Sequence, residues 1–319
     1  MAAVLAALLA GCFISGNSVR EVEGDSRFGS YSLKWLDRPG TPAADDLRPR
    51  LHARIEQLAT ELLAQADSPL AQFNRLPLGE CLAVPDSVRQ LVQHLQALHA
   101  FSLEQVETGH APMVRWWLLT EDGTPLSSTQ QQAAVTLEGD QLCREMALQL
   151  DLSSLANSYA VDVLDDWLLQ NGIENYMLDM AGDVRVKGYQ ADGRPWRIAV
   201  EAPHDHARLA YQLLDLDGHA AVRAGEYQDY VARSRNQSVW PQALTAEQTH
   251  QPLRCVTVFA ESAVEADTLA HLLMFMGAEQ GWRFARERDI SAFFVERYAE
   301  QGFVSRGTPA FNALKNSEE

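Results

Sequence analysis

The chain has 319 residues, 46% hydrophobic and 22% charged, which allows one large or two modest domains with a real core and excludes a disordered chain. Its formal net charge is −17, with no Lys/Arg-rich run. Nucleic acid is excluded as a partner on that ground, since phosphate backbones need clustered cations, and an anionic substrate would need local help from a cation or backbone amides.

Residues 1–12, MAAVLAALLAGC, are a short apolar run ending in Leu9-Ala10-Gly11-Cys12. The ending is similar to a bacterial lipobox, in which signal cleavage leaves Cys12 as a lipidated N-terminus. The run is too short to span a bilayer as a helix, and it has no basic n-region, so the signal is expected to begin upstream of Met1. A tether is expected over 13–27, one integrated domain over 28–305 and a tail over 306–319. Cys81, Cys143 and Cys255 are far apart and form no C-x-x-C. Neither metal spacing nor a disulfide framework follows, and Cys143 and Cys255 read as small buried residues.

In chain order, Phe28–Trp35 reads as a strand and Pro39–Pro42 as a turn. Asp46–Gln65 is an amphipathic helix with Leu51, Ile55, Leu58 and Leu62 on one face. Asp67–Arg75 reads as a capped short helix and Val84–Ala100 as another helix, before strands at Val135–Leu137 and Ala147–Leu150. In Asp151–Gly188, Leu155, Tyr159, Val163 and Trp167 recur at helical spacing. Ser153 or Ser154 is placed to cap that helix, and Asn171-Gly172 to end it. Tyr176–Met180 and Val184–Lys187 read as strands joined through Ala181-Gly182-Asp183. Such a turn lets a ligand approach the backbone beside a carboxylate. Trp196–Glu201 alternates as a half-buried strand does. His204-Asp205-His206 reads as an exposed loop, because adjacent side chains seldom converge on one ion. Val256–Ala260 is a buried strand running into a helix over Ala263–Gln280, on which Asp267 and His271 share a face.

These residues carry a resemblance. Asp151, Leu152, Ala156, Tyr159, Ala160, Val161 and Asp162 match the Asp-Leu-Gly-Gly-Ile-Ala-Lys-Gly-Tyr-Ala-Val-Asp pattern of the ApbE-like FAD:protein FMN transferases. Gly182-Asp183 matches the end of that family's Gly-Gly-Asp turn, while Ser153, Ser154, Asn157, Ser158 and Ala181 depart. Phe28–Trp35 resembles the Met-Gly-Thr opening strand, Asp67–Arg75 a loop near the flavin, and Trp196–Pro203 a Trp-x-Ile-Ala-Ile-x-x-Pro segment. Trp116-Trp117 falls on a tryptophan-containing segment. Phe101–Thr108 stands where relatives have Ser-Gly-Gly-Ala-Phe-Asp-x-Thr, and Val222–Tyr227 where they have Ala-Thr-Ser-Gly-Asp-Tyr. Gln237–Pro241 aligns with His-Ile-Ile-Asp-Pro, putting Gln237 at the histidine. Glu265–His271 resembles Ala-Asp-Ala-Leu-Ala-Thr.

The resemblance implies an α+β fold, with antiparallel strands packed against helices, and transfer of FMN from FAD to a threonine hydroxyl of a target flavoprotein. It implies FAD contacts at Tyr159, Asp162, Gly182, Asp183 and Gly225. It also implies a divalent ion, Mg2+ in relatives, held by Asp267, by His271 in place of a threonine and by the Ser154 carbonyl. A nitrogen at 271 suits Mn2+ or Zn2+ better. The alternatives are a non-catalytic flavin- or partner-binding protein on the same scaffold, and a metal-dependent FAD pyrophosphatase. The expected location is the periplasmic side of a bacterial inner membrane, with the lipid as the sole membrane contact.

Overall fold

The computed structural model describes residues 18–105, 118–120, 134–202, 209–225, 253–298 and 302–316. Cys12, Trp116-Trp117, His204–His206, Tyr227 and Gln237–Pro241 lie outside them.

Fifteen strands are described: β1 Val19–Ser26, β2 Gly29–Leu36, β3 Cys81–Ala83, β4 Leu118–Thr120, β5 Val135–Glu138, β6 Gln141–Arg144, β7 Leu148–Leu150, β8 Tyr176–Met180, β9 Asp183–Lys187, β10 Trp196–Ala202, β11 Leu209–Leu216, β12 Ala220–Gly225, β13 Leu253–Ala260, β14 Ser291–Tyr298 and β15 Gly302–Gly307. The helices are α1 Ala44–Leu62, α2 Pro69–Asn74, α3 Asp86–Gln105, α4 Ser153–Gln170, α5 Ala263–Glu287 and α6 Pro309–Asn316. Eight strands form one sheet in the order β1-β2-β8-β9-β12-β13-β14-β15, every neighbouring pair antiparallel. The expected α+β class is the observed one.

The sheet separates two cores. Leu33, Trp35, Tyr176 and Leu178 face one side, with Leu51, Ile55 and Leu58 of α1, Leu164 of α4 and Leu273 of α5. On the other side Trp196, Ile198 and Leu216 of the β10–β11 hairpin meet Val186, Phe259, Phe293 and Phe311 of α6. Strand side chains alternate across the sheet, so β9 sends Val184 and Val186 into the second core. Its alternate residues, Asp183 and Arg185, are also buried. A strand with polar residues on its helix-covered side is what builds the site below.

Three expected boundaries move. Val19–Ser26 is a strand paired along its whole length with β2, not tether, because Val22 enters the core. The expected tail contains the end of β15 and α6, which is docked by the buried ring of Phe311. The helix expected over Ala263–Gln280 continues to Glu287, bent at Gly277, where φ is 76° and ψ is −179°.

The cysteine reading is also corrected. Cys81 and Cys143 form a disulfide. They are directly opposed in the β3–β6 pairing, with Cα atoms 4.0 Å apart, although 62 residues separate them in sequence. Cys255 is buried and unpaired in a disulfide, as expected.

Candidate functional site

Helix α4 starts at Ser153, so the N-cap position expected at Ser153 or Ser154 falls to Leu152, which makes no side-chain cap. Asp151 Oδ1 instead accepts from the Ser153 amide at 2.9 Å. The start is held further by Asn74, whose side chain donates to Leu150 O at 3.0 Å and accepts from Leu150 N at 2.7 Å. The short helix ending in Asn74 therefore fixes the strand that feeds α4. Along α4, Ser158, Asp162 and Asp165 fall at i, i+4 and i+7 and share one face. That face meets β9 and the first turns of α5.

β8 and β9 are joined by a two-residue hairpin, with Met180 paired to Asp183 across it. Ala181 has φ 54° and Gly182 φ 100°, the positive pair that suits the right-handed twist of flanking strands. A Cβ added at Gly182 would meet nothing within 4 Å, so this backbone is open to approach. Next to it, Asp183 is only 6% exposed.

The Asp183 carboxylate accepts at Oδ2 from Asn157 Nδ2 (2.6 Å) and lies 2.8 Å from Ser158 Oγ. Asn157 Nδ2 also donates to Met180 O at 2.8 Å, which ties α4 to the hairpin. Ser158 Oγ is also 3.0 Å from Asp267 Oδ2. One turn along α5, His271 Nδ1 is 2.7 Å from Asp267 Oδ1 and 2.9 Å from the Asp267 carbonyl. Three elements thus bring together an amide, a hydroxyl, two buried carboxylates and an imidazole.

Burial, followed by the neighbouring Asp267 carboxylate, raises Asp183 to about 7, against hydrogen bonds from Ser158 and Asn157 and the charge of His271 that favour its ionised form. For His271, burial pulls the imidazole down, but Asp267, through its charge and two hydrogen bonds, and Asp183 outweigh it and raise it to about 9. Asn157 Oδ1 is buried without a hydrogen-bond partner.

The expected residues divide. Asp183, Asp267 and His271 are brought together, and Gly182 borders them. Asp162 is not among them: its two oxygens accept from Ser262 Oγ at 2.9 Å and from the amides of Ala263 and Val264 at 2.7 and 3.0 Å. It caps α5, where a carboxylate satisfies orphan amides and suits the helix dipole. Burial raises its pKa, against those bonds. The Tyr159 hydroxyl donates to Gln90 Oε1 at 2.7 Å and is pushed up to about 12 by burial, a bridge between α4 and α3. At Gly225 a Cβ would lie 2.6 Å from Cys255 Cβ and 2.7 Å from Arg254 O, so close packing of β12 on β13 accounts for that glycine.

Ser154 is the second residue of α4, and helix geometry directs its carbonyl to the Ser158 amide. Of the expected ligand set, Asp267 and His271 stand together on α5, with Oδ1 and Nδ1 2.7 Å apart. Among the described residues, the only His/Cys/Asp/Glu trio with converging atoms is Cys81, Glu138 and Cys143, and its two sulfurs are spent in the disulfide. Asn157 and Ser158 were missed as site residues. Their signal was present: they stand where a lysine and a glycine occur in the pattern that the surrounding residues match.

The antiparallel sheet carries α4 and α5 across one face, and they meet beside the β8–β9 turn at a buried acidic cluster. The sequence profile of the ApbE family matches residues 30–294, and the chain belongs to that family. A Vibrio cholerae FAD:protein FMN transferase is 27% identical over 321 aligned positions, covering 95% of each chain. The apo crystal structure of Pseudomonas stutzeri flavinyl transferase ApbE is 32% identical, with a TM-score of 0.72, covering 94% of this chain and 98% of that one. The flavin transferase ApbE from Vibrio cholerae superposes with a TM-score of 0.71 at 26% identity, covering 93% and 99%.

Proposed function

We propose that this chain is an FAD:protein FMN transferase, moving FMN from FAD to a threonine hydroxyl of a target flavoprotein with release of AMP. The observation that carries the reading is the family match over residues 30–294, with Asp183 and Asp267 brought together where α4, β9 and α5 meet. In such a transfer the acceptor hydroxyl displaces AMP at phosphorus, and positioning with charge stabilisation supplies most of the rate. The open Gly182 backbone offers an approach for the substrate, and the unpaired Asn157 Oδ1 offers an acceptor to it.

A divalent ion would supply charge neutralisation at the diphosphate in this chemistry. The residues present do not fit one: Asp267 meets His271 and Ser158 through its two oxygens, and among the described residues no His/Cys/Asp/Glu trio converges with it. That same commitment favours the second reading, a non-catalytic flavin-binding member of the family. Incubation of the purified protein with FAD and a threonine-bearing acceptor flavoprotein, with and without Mg2+, followed by mass analysis of the acceptor, separates the two. Addition of an FMN mass supports transfer; bound FAD with an unmodified acceptor supports the second reading.

The reading extends to location. The Cys81–Cys143 disulfide suits an oxidising compartment, and no helix among the described residues is long and apolar enough to cross a membrane. Lipid on Cys12 would hold the domain on the periplasmic side of the inner membrane. Expression from the genomic start followed by fractionation should leave wild type with the membrane and release Cys12→Ala. Equal release of both rejects the anchor. Unfolded but unreduced Cys12→Ala protein should label with a thiol reagent at Cys255 alone, and labelling at Cys81 or Cys143 rejects the disulfide.

A further inference from the structure

We propose that the buried Asp267–His271 pair is the charge-balancing element of this site, and that no divalent metal ion is held there. The pair is built in. Spacing of i, i+4 on α5 places His271 Nδ1 within reach of both the side chain and the carbonyl of Asp267. Asp267 presents one oxygen to His271 and the other to Ser158, and Ser158 in turn meets Asp183 Oδ2, which Asn157 also holds. Three of the four carboxylate oxygens in the cluster are therefore engaged by side chains of this chain. Mg2+ needs near-octahedral oxygen ligation and keeps several waters. Here it would have to break those contacts at carboxylates that are themselves buried, Asp183 and Asp267.

The competing softer ions fare no better. Mn2+ or Zn2+ would use an imidazole nitrogen, but Nδ1 faces Asp267, and among the described residues neither ring nitrogen of His271 converges with two further His, Cys, Asp or Glu ligand atoms. Asn157 Oδ1 is buried without a partner, a single neutral oxygen, and the fourth carboxylate oxygen, Asp183 Oδ1, joins no converging ligand group with Asp267 and His271 among the described residues. The departures from the family pattern agree with this arrangement. The lysine of the pattern is Asn157 here and its threonine is His271, so a cationic type of side chain is missing from α4 while an imidazole stands on α5 against Asp267. The substitutions keep a side-chain counter-charge in the cluster and remove a hard oxygen ligand.

The test uses the full chain cleared of metal with EDTA and then dialysed. Calorimetric titration with Mg2+, Mn2+ and Zn2+ in turn, together with thermal melting in each ion, is expected to show no saturable uptake that depends on Asp267 and no rise in melting temperature. Uptake of any of the three by wild type that Asp267→Asn abolishes overturns the proposal. His271→Thr removes the imidazole and restores an oxygen. It is expected to take up Mg2+ at least about tenfold more tightly than wild type, the scale of effect that partners of metal ligands exert, and melting with and without Mg2+ reads the gain even if the variant is less stable. No gain in Mg2+ affinity overturns the proposal as well. The flavin reading above is tested separately by FAD fluorescence. FAD affinity of wild type should be the same in EDTA as in Mg2+, and FAD binding that appears only with a divalent ion counts against the proposal. Absence of FAD binding in every condition rejects the flavin reading and leaves the metal titration to decide this one.

Discussion

Helix α4 carries Asp165 into one buried polar cluster and Ser158 into another, about two turns apart. In the first, Asp165 accepts from Tyr176 Oη at 2.5 Å and from Arg185 Nε and Nη2 at 3.1 and 2.8 Å, with Lys187 Nζ at 3.4 Å. Arg185 spends its other nitrogen on the carbonyls of Gly218 and Glu261. Burial alone would raise Asp165, but these donors hold it below the usual carboxylate value. In the second cluster two carboxylates meet over one serine. A hydroxyl has a single proton to donate, so Ser158 serves Asp183 or Asp267 but not both, while burial first and the Asp267 charge second drive Asp183 up to about 7. The difference separates a joint from a site. A carboxylate held low by a surplus of donors fastens α4 to the sheet. A carboxylate held high by burial and by a like-charged neighbour is retained at a cost in stability, and such perturbation collects where chemistry is done.

Removing the surplus should be the larger injury. Arg185→Met deletes every guanidinium bond and strands Asp165 with Tyr176 and Lys187 in a buried setting, for which a loss of about 3–5 kcal/mol is expected. Denaturant unfolding of wild type and variant measures it. A loss under about 1 kcal/mol would mean that solvent reaches Asp165 and that the first cluster is not the paired joint described.

Asp162 lies between the two on the same face and gives an intermediate case. Asp162→Ala removes the cap of α5 and leaves the amides of Ala263 and Val264 without their partner. A loss of about 1–2 kcal/mol is expected, with hydrogen exchange quickened first at those amides. Unchanged protection there would return Asp162 to the ligand role that its sequence motif suggested.

Much of this was legible before the structure. The spacing of Leu155, Tyr159, Val163 and Trp167 gave α4, and Asn171-Gly172 its end. The turn at Ala181-Gly182 and the shared face of Asp267 and His271 were readable because both are local. What stayed hidden was non-local. Cys81 meets Cys143 only through the register of β3 on β6, and no spacing rule reports that. Asp162 and Tyr159 belong to a recognisable motif, yet whether a motif residue faces a ligand or a neighbouring helix depends on packing that sequence does not display. The sequence carries the last long helix straight through Gly277 to Gln280, whereas in the fold Gly277 takes a non-helical conformation and the helical path resumes beyond it as far as Glu287. Ser158 read as a loss from the pattern, and only the arrival of β9 and α5 on either side shows what its hydroxyl joins.

The smallest expected change in stability tests the second cluster most directly. Asp183→Asn keeps the shape, keeps an oxygen for Asn157 or Ser158, and gives Asp267 a possible donor in place of a like charge. Near pH 5 its stability should therefore lie within about 1 kcal/mol of wild type. The sign at higher pH follows from linkage. Asp183 stands at about 7 in the fold against 3.8 ordinarily, so between those values the folded state holds a proton that the unfolded chain has released, and wild-type stability falls as pH rises to about 7. His271 is raised from 6.5 to about 9, so its contribution is complete below 6.5 and is lost as pH rises through 9. The asparagine variant lacks the first of these losses, and it should gain on wild type from pH 4 to 7. It also lacks the Asp183 charge that helps His271 keep its proton, so its own decline above pH 6.5 should be smaller and end at a lower pH. Guanidinium midpoints measured across pH 4–9 decide the matter. If the two curves run parallel throughout, Asp183 is an ordinary ionised carboxylate, and the contrast between the joint and the site fails at the residue on which it depends most.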